Sequence, residues 1–248
     1  MTAMDNCERA RKNLGSLDGA REFLRHRGWP AQLPPYLRDA LLDRARLLPA
    51  FERGQTVFRI GDEPDGIYGA VSGMFAFQLA PNEQGPHTFH LYGPGAWFGE
   101  LAHCVGKPRA TTMIATRRSR CLRVPVRELE GLLKEEPELW RWLAASLAYN
   151  VKTAFCAVDD MTIRLPRRRI AAVLLRLAGA RGGVLPNVEF SRDLDLTHHD
   201  IAFIANVSRS AVGENLSRLE EEGFLECGYG VIRLIDPAGL CAWLRDTA

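Results

Sequence analysis

The sequence has no C-x-x-C pair. Its six cysteines, Cys7, Cys104, Cys121, Cys156, Cys227 and Cys241, are scattered through 248 residues. Neither a zinc ribbon nor the usual iron–sulfur spacing can be built from them, and no iron–sulfur cluster or metal site is expected. No apolar run approaches the roughly 18 residues of a membrane span. The N-terminus is polar and arginine-rich, without the hydrophobic stretch of a signal peptide. A cytoplasmic protein with reduced thiols and no membrane partner is the expectation. An excess of one charge is missing too. A net charge of +2 does not mark a nucleic-acid partner, so any such face must come from local arginine clustering.

What is present is an ordinary globular composition, 46% hydrophobic and 25% charged, over a length that accommodates two cores. Residues 1 to about 18 carry no periodic pattern. Leu17 to Arg27 is weakly helical, Gly28-Trp29-Pro30 breaks it, and a second short helix follows Leu33-Pro34-Pro35. The texture changes at Arg53. From there to Pro125, short alternating runs are separated by glycine: Thr56–Arg59, Gly66–Val71, Met74–Leu79, His87–Leu91, Thr111–Ala115 and Ser119–Val124. Six or more such strands indicate an antiparallel barrel or jelly roll, with Pro81–Pro86 turning one hairpin. That barrel lacks clustered His and carboxylate ligands, which argues against a metal-dependent barrel enzyme. His87, His90 and Cys104 stand alone and read as structural residues rather than haem ligands.

Pro125 starts a helical region and Pro137 a longer one. Leu139, Trp140, Leu143, Leu147, Val151, Ala154, Phe155 and Val158 recur at three-to-four spacing for about six turns. A helix of that length packs either on its own barrel or on the same helix of a second subunit; the pattern alone does not choose. Arg164-Leu165-Pro166-Arg167-Arg168-Arg169 marks a hinge, where Arg168 and Arg169 either meet phosphate or form a solvated face. Ile170 to Ala178 is a short apolar helix ended by Gly179, and Val184 and Val188–Phe190 suggest a small strand or two.

Thr197 to Leu219 reads as two short helices with a tight corner. Thr197 and Asp200 form a helix start, and Ile201, Ile204 and Ala205 an apolar stripe. Asn206 tolerates positive φ at the corner. Ser208 caps a second helix that buries Val212, Leu216 and Leu219, turning Arg209, Ser210, Gly213, Glu214 and Ser217 outward. An exposed second helix of this kind reads the DNA major groove; an ordinary helical hairpin is the alternative. Phe224–Cys227, the Gly228-Tyr229-Gly230 turn and Val231–Ile235 form a hairpin, the wing of a winged helix. Asp236-Pro237 then caps a final helix.

Three motifs in this order resemble the Crp/Fnr superfamily of bacterial transcription regulators, the cyclic-AMP receptor protein and the fumarate–nitrate regulator. Gly54 to Gly73, G-Q-T-V-F-R-I-G-D-E-P-D-G-I-Y-G-A-V-S-G, is similar to the opening of the cyclic-nucleotide-binding fold, with Gly54, Gly61 and Gly73 at its corners. Pro94 to Leu101, P-G-A-W-F-G-E-L, followed by P-R-A-T-T at Pro108 to Thr112, looks like its phosphate-binding cassette. The helix-turn-helix and wing are the third. The fold implied is α+β: an N-terminal helical extension (1–50), a cyclic-nucleotide-binding-like antiparallel barrel (51–135), a long dimerisation helix (136–163) and a winged helix-turn-helix (164–248).

The resemblance implies an effector site at Gly99, Glu100, Leu101, Arg109, Ala110 and Phe155, with Glu100 toward a ribose and Arg109 toward a cyclic phosphate. Ala110 departs from the usual Ser or Thr, and Phe155 fits a base stack, the dimer core or the pocket itself. Cyclic nucleotide, another small ligand and no ligand therefore stay open. For DNA the resemblance places Arg209 on guanine, where an arginine fork matches O6 and N7. Ser210 and Glu214 differ from the cyclic-AMP receptor, and Glu214 can accept from cytosine. Thr197, His199, Ser208 and Ser217 are expected at phosphates. A homodimer on a palindromic duplex is implied, with RNA polymerase as partner if it activates. A small-ligand-sensing module whose main output is not DNA binding is the competing reading.

Overall fold

The computed structural model describes residues 14–79, 87–181 and 191–246. The turn at Pro81–Pro86, the strands at Val184 and Val188–Phe190, and Cys7 lie outside them. The chain divides into two compact units. One comprises residues up to His87 together with Leu91–Ala148, and the other Thr88–His90 together with residues from Tyr149 onward.

In the first unit, α1 (Leu17–Arg25) is capped by the Ser16 side chain, which accepts from the Gly19 amide. The helix starts at Leu17, where the weakly helical spacing begins, and ends two residues short of Arg27. A 3₁₀ turn at Trp29–Gln32 follows, then α2 (Pro35–Asp43), opened by a proline whose missing N–H costs nothing there. Eight strands come next: β1 (Arg46–Leu47), β2 (Thr56–Phe58), β3 (Gly66–Ser72), β4 (Phe75–Leu79), β5 (His87–Tyr92), β6 (Trp97–Phe98), β7 (Thr112–Ala115) and β8 (Arg120–Pro125). They pair as two four-stranded sheets, β1-β8-β3-β6 and β2-β7-β4-β5, antiparallel in each recorded pairing. Two-residue strands carry too little alternation to be seen in sequence, which is why β1 and β6 were not expected.

Two cores separate this unit into layers. Phe58, Tyr68, Phe75, Tyr92, Phe98 and Met113, drawn from both sheets, fill the barrel, with Tyr68 stacked on Phe98 at 5.6 Å. On the other side of β3 and β8, Leu24, Trp29, Leu37 and Leu41 of the N-terminal segment pack with Leu122, Leu129 and Leu132. Leu129 and Leu132 belong to α4 (Val126–Glu135). The N-terminal extension is thus part of the first unit's core. Gly54, Gly61 and Gly73 all have positive φ. At Gly73 a Cβ would lie 2.2 Å from Ser119 Oγ, so no other residue fits that corner.

The long helix α5 (Leu139–Thr162) runs on into the second unit. There α6 (Pro166–Leu177), α7 (His198–Ala205) and α8 (Arg209–Glu221) bury Ile170, Val173, Leu174, Ile201, Ile204, Val212, Leu216 and Leu219. Strands β9 (Asp193–Leu194), β10 (Leu225–Cys227) and β11 (Ile232–Leu234) form a sheet in the order β10-β11-β9. The third strand, β9, is an addition to the expected two-stranded wing. Helix α9 (Pro237–Arg245) begins at Asp236, whose side chain accepts from the Gly239 amide.

Candidate nucleic-acid interface and effector pocket

Local side-chain chemistry shapes the two-helix corner. Thr197 Oγ1 accepts from the Asp200 amide, and the Asp200 carboxylate accepts from the Thr197 amide at 2.9 Å, closing a capping box on α7. Asn206 takes the left-handed conformation at φ 49° and is the only non-glycine residue among those described to do so. Ser208 Oγ accepts from the Ala211 amide at 3.1 Å and starts α8. Arg209, Ser210, Glu214 and Ser217 are exposed on α8 and Gly213 is partly exposed, while Thr197, His198 and His199 are exposed at the start of α7. Helix α8 thus buries Val212, Leu216 and Leu219 and leaves these polar positions wholly or partly to solvent.

The arginine run before α6 does something else. Arg167 donates to Glu222 at 2.7 Å and lies 4.9 Å over the Trp243 ring. Arg168 donates to the Leu244 carbonyl. Arg169 donates to the carbonyls of Ile163, Ala205 and Asn206. Arg168 and Arg169, read from sequence as meeting phosphate or forming a solvated face, are partly buried and spend donors on backbone carbonyls of the second unit. A run of like charge carries no mark of the carbonyls it will meet, so sequence reasoning could not have found this.

In the first unit Gly99, Glu100 and Arg109 come together around α3 (Glu100–Val105). Gly99 caps that helix at φ 97°, and a Cβ there would lie 3.0 Å from Arg109 Nη1. Glu100 and Arg109 are buried, with Arg109 only 3% exposed. Its guanidinium donates to the Gly99 carbonyl at 2.6 Å, the Gly66 carbonyl at 2.7 Å and Asp65 Oδ1 at 2.9 Å. The same group lies 4.3 Å over the Phe58 ring, and its buried Nε has no hydrogen-bond partner. Arg109 is thus a partly committed cation, with two of its five N–H groups uncommitted among these bonds.

Asp65 is the residue the sequence reading missed here. It also accepts from Tyr68 Oη and from Arg123 Nη1. Burial alone would raise its carboxyl; the hydrogen bonds from Tyr68, Arg109 and Arg123 outweigh that and hold it below the usual 3.8. The Asp65 hydrogen bond and burial act in the same direction on Tyr68, burial more strongly, and push its phenol beyond the ordinary range. Its only signal in sequence was a Tyr three residues after an Asp. Leu101 and Ala110 are exposed, and Phe155, 69% exposed, belongs to the second unit. His90 is buried with Nδ1 2.8 Å from Arg176, a satisfied structural histidine as expected.

A sensing-type barrel followed by a winged helix-turn-helix with an exposed second helix defines a DNA-binding transcription regulator. A cyclic nucleotide-binding domain model matches residues 49–136 and a Crp-like helix-turn-helix domain model matches residues 168–243. The cyclic AMP receptor protein of Thermus thermophilus is 28% identical over 191 residues, 76% of this chain and 83% of that protein. A CRP-like cAMP-activated global transcriptional regulator of Mycobacterium tuberculosis is 26% identical over 175 residues, 71% of this chain and 78% of that one. Among solved structures, FixK2 from Bradyrhizobium japonicum gives a TM-score of 0.67 at 19% identity, covering 82% of this chain and 98% of that structure; this is a likeness of fold. The chain belongs to the Crp/Fnr superfamily of transcription regulators. A sensing module without DNA output is disfavoured by the matched helix-turn-helix domain.

Proposed function

We propose that the protein acts as a homodimer on a palindromic duplex, with α8 in the major groove. The observation that carries the dimer is an uncovered apolar face on α5: Val151, Phe155 and Val158 follow one another at i, i+4 and i+7 and are exposed in the single chain. Leu139 and Leu143, counted with them in sequence, are instead buried in the first unit's core. A helix face of this kind is covered in solution, and a second copy offers the same face by two-fold symmetry. Two reading helices would then sit roughly 34–36 Å apart. Arg209 reads guanine, Ser210, Gly213 and Glu214 complete the base-facing surface, and Thr197, His199, Ser208 and Ser217 hold phosphates. RNA polymerase is the further partner if the protein activates.

The Gly99–Glu100–Arg109 cluster of the first unit supports a small anionic effector of the cyclic-nucleotide kind. The buried, unpartnered Arg109 Nε and the close approach of Gly99 to Nη1 support the fit. Arg109 would hold the phosphate and Glu100 the ribose; Ala110 offers no hydroxyl. The cyclic-AMP naming of two relatives favours this class. No catalytic role is proposed.

Selection of duplexes from a randomised DNA pool, followed by sedimentation of the complex, tests the proposal. A selected two-fold symmetric sequence bound by two chains is expected. Selection of an asymmetric half-site by one chain would overturn it.

A further inference from the structure

We propose that Arg169 is a positioning residue of the DNA reader, tying the segment that leaves the long helix to the corner of the helix-turn-helix. Its Nε donates to the carbonyl of Ile163 at 2.9 Å, and its Nη1 to those of Ala205 at 3.1 Å and Asn206 at 3.3 Å. Ile163 is the first residue past α5. Ala205 ends α7, and Asn206 is the left-handed corner residue. One side chain therefore holds carbonyls from two segments that are remote in sequence.

The chemistry favours arginine at this place. Carbonyls in the last turn of a helix have no partner within it, and the helix dipole concentrates negative charge there. A guanidinium presents donors on more than one edge in a fixed plane and can face two carbonyl groups at once; an ammonium is a point donor on a flexible stem. Helix α8 starts three residues after Asn206, with Ser208 as its cap. The position of the corner carbonyls thus fixes where the reading helix begins. A displacement of Ile163 changes the Arg169 guanidinium, and the guanidinium moves the corner. Of its neighbours in the run, Arg167 bonds to Glu222 and Arg168 to the Leu244 carbonyl.

The inference rests on α8 being the reading helix, so its test carries an independent control. With the full chain, dissociation constants are measured for a duplex selected from a randomised pool and for a scrambled duplex, each at several salt concentrations. Wild type, Arg169→Ala, Arg169→Lys and Arg209→Ala are compared. Both Arg169 variants are expected to lose roughly tenfold in the ratio of selected to scrambled affinity, with the salt slope unchanged. A wild-type ratio in Arg169→Lys would overturn the proposal, because charge alone would then suffice. Equal loss on both duplexes with a salt slope shallower by about one unit would make Arg169 a phosphate contact instead. A lowered thermal midpoint with an unchanged ratio would leave it purely structural and also overturn the proposal. If Arg169→Ala does not fold, Arg169→Lys decides. An unchanged ratio in Arg209→Ala reports separately that α8 is not the reader.

Discussion

Asp65 and Arg109 meet at 2.9 Å with unequal exposure: the guanidinium side chain is 2% exposed and the carboxylate 44%. The arginine cannot shed its charge, and the aspartate, which it shares with Arg123, is a neutralising partner for it. Removing one partner of a buried pair strands the other. Asp65→Asn is expected to destabilise the first unit by about 2–3 kcal/mol, at or below the low end for buried pairs because the carboxylate is partly solvated. Urea unfolding measures this. A loss under about 0.5 kcal/mol, the range of ordinary surface changes, would show that Arg109 is adequately held by the Gly66 and Gly99 carbonyls.

The corner residue offers a backbone test. At φ 49° Asn206 occupies a region that β-branched residues avoid. Asn206→Val is expected to cost about 1–2 kcal/mol, whereas Asn206→Gly should be close to neutral. Equal stability of the two variants would show that the corner relaxes to another conformation.

On DNA, Arg209→Ala is expected to weaken binding to the selected duplex by about 1–3 kcal/mol and to relax discrimination at one base position. The measurement is a competition series in which each position of the selected site is varied. Uniform weakening across all sequences would assign Arg209 to a phosphate.

Dimerisation should depend on the uncovered face of α5. Phe155→Asp places a charge in the middle of that face and is expected to give a monomer by sedimentation velocity at micromolar concentration, with far-UV circular dichroism unchanged. A persisting dimer would place the interface elsewhere.

Acid should weaken the second unit through His90. Burial, reinforced by the Arg176 guanidinium against Nδ1, lowers its pKa well below 6.5. Below about pH 6.5 the unfolded chain takes up a proton that the folded chain refuses, so stability is full above that pH and falls as pH drops. Burial lowers His103 in the same direction. Unfolding midpoints should decline from pH 7.5 to 5.5, and His90→Gln should flatten part of the decline. An identical slope in the variant would assign the effect to other groups.

Features that depend on near neighbours were already set in the amino-acid order. The Thr197–Asp200 box, the Asn206 corner, the Ser208 cap and the alternating strands of the barrel are short-range consequences of side-chain shape and hydrogen bonding, and they are where the pattern placed them. The motif order was legible for the same reason. Tertiary structure decided what depends on distant partners. It split the apolar stripe of α5 into a buried start and an exposed middle. It gave Asp65 to Arg109 and turned Arg169 inward to carbonyls at the helix-turn-helix corner. A charged side chain keeps the same identity whether it faces water, phosphate or a helix end. Only the packing that removes it from water selects its partner.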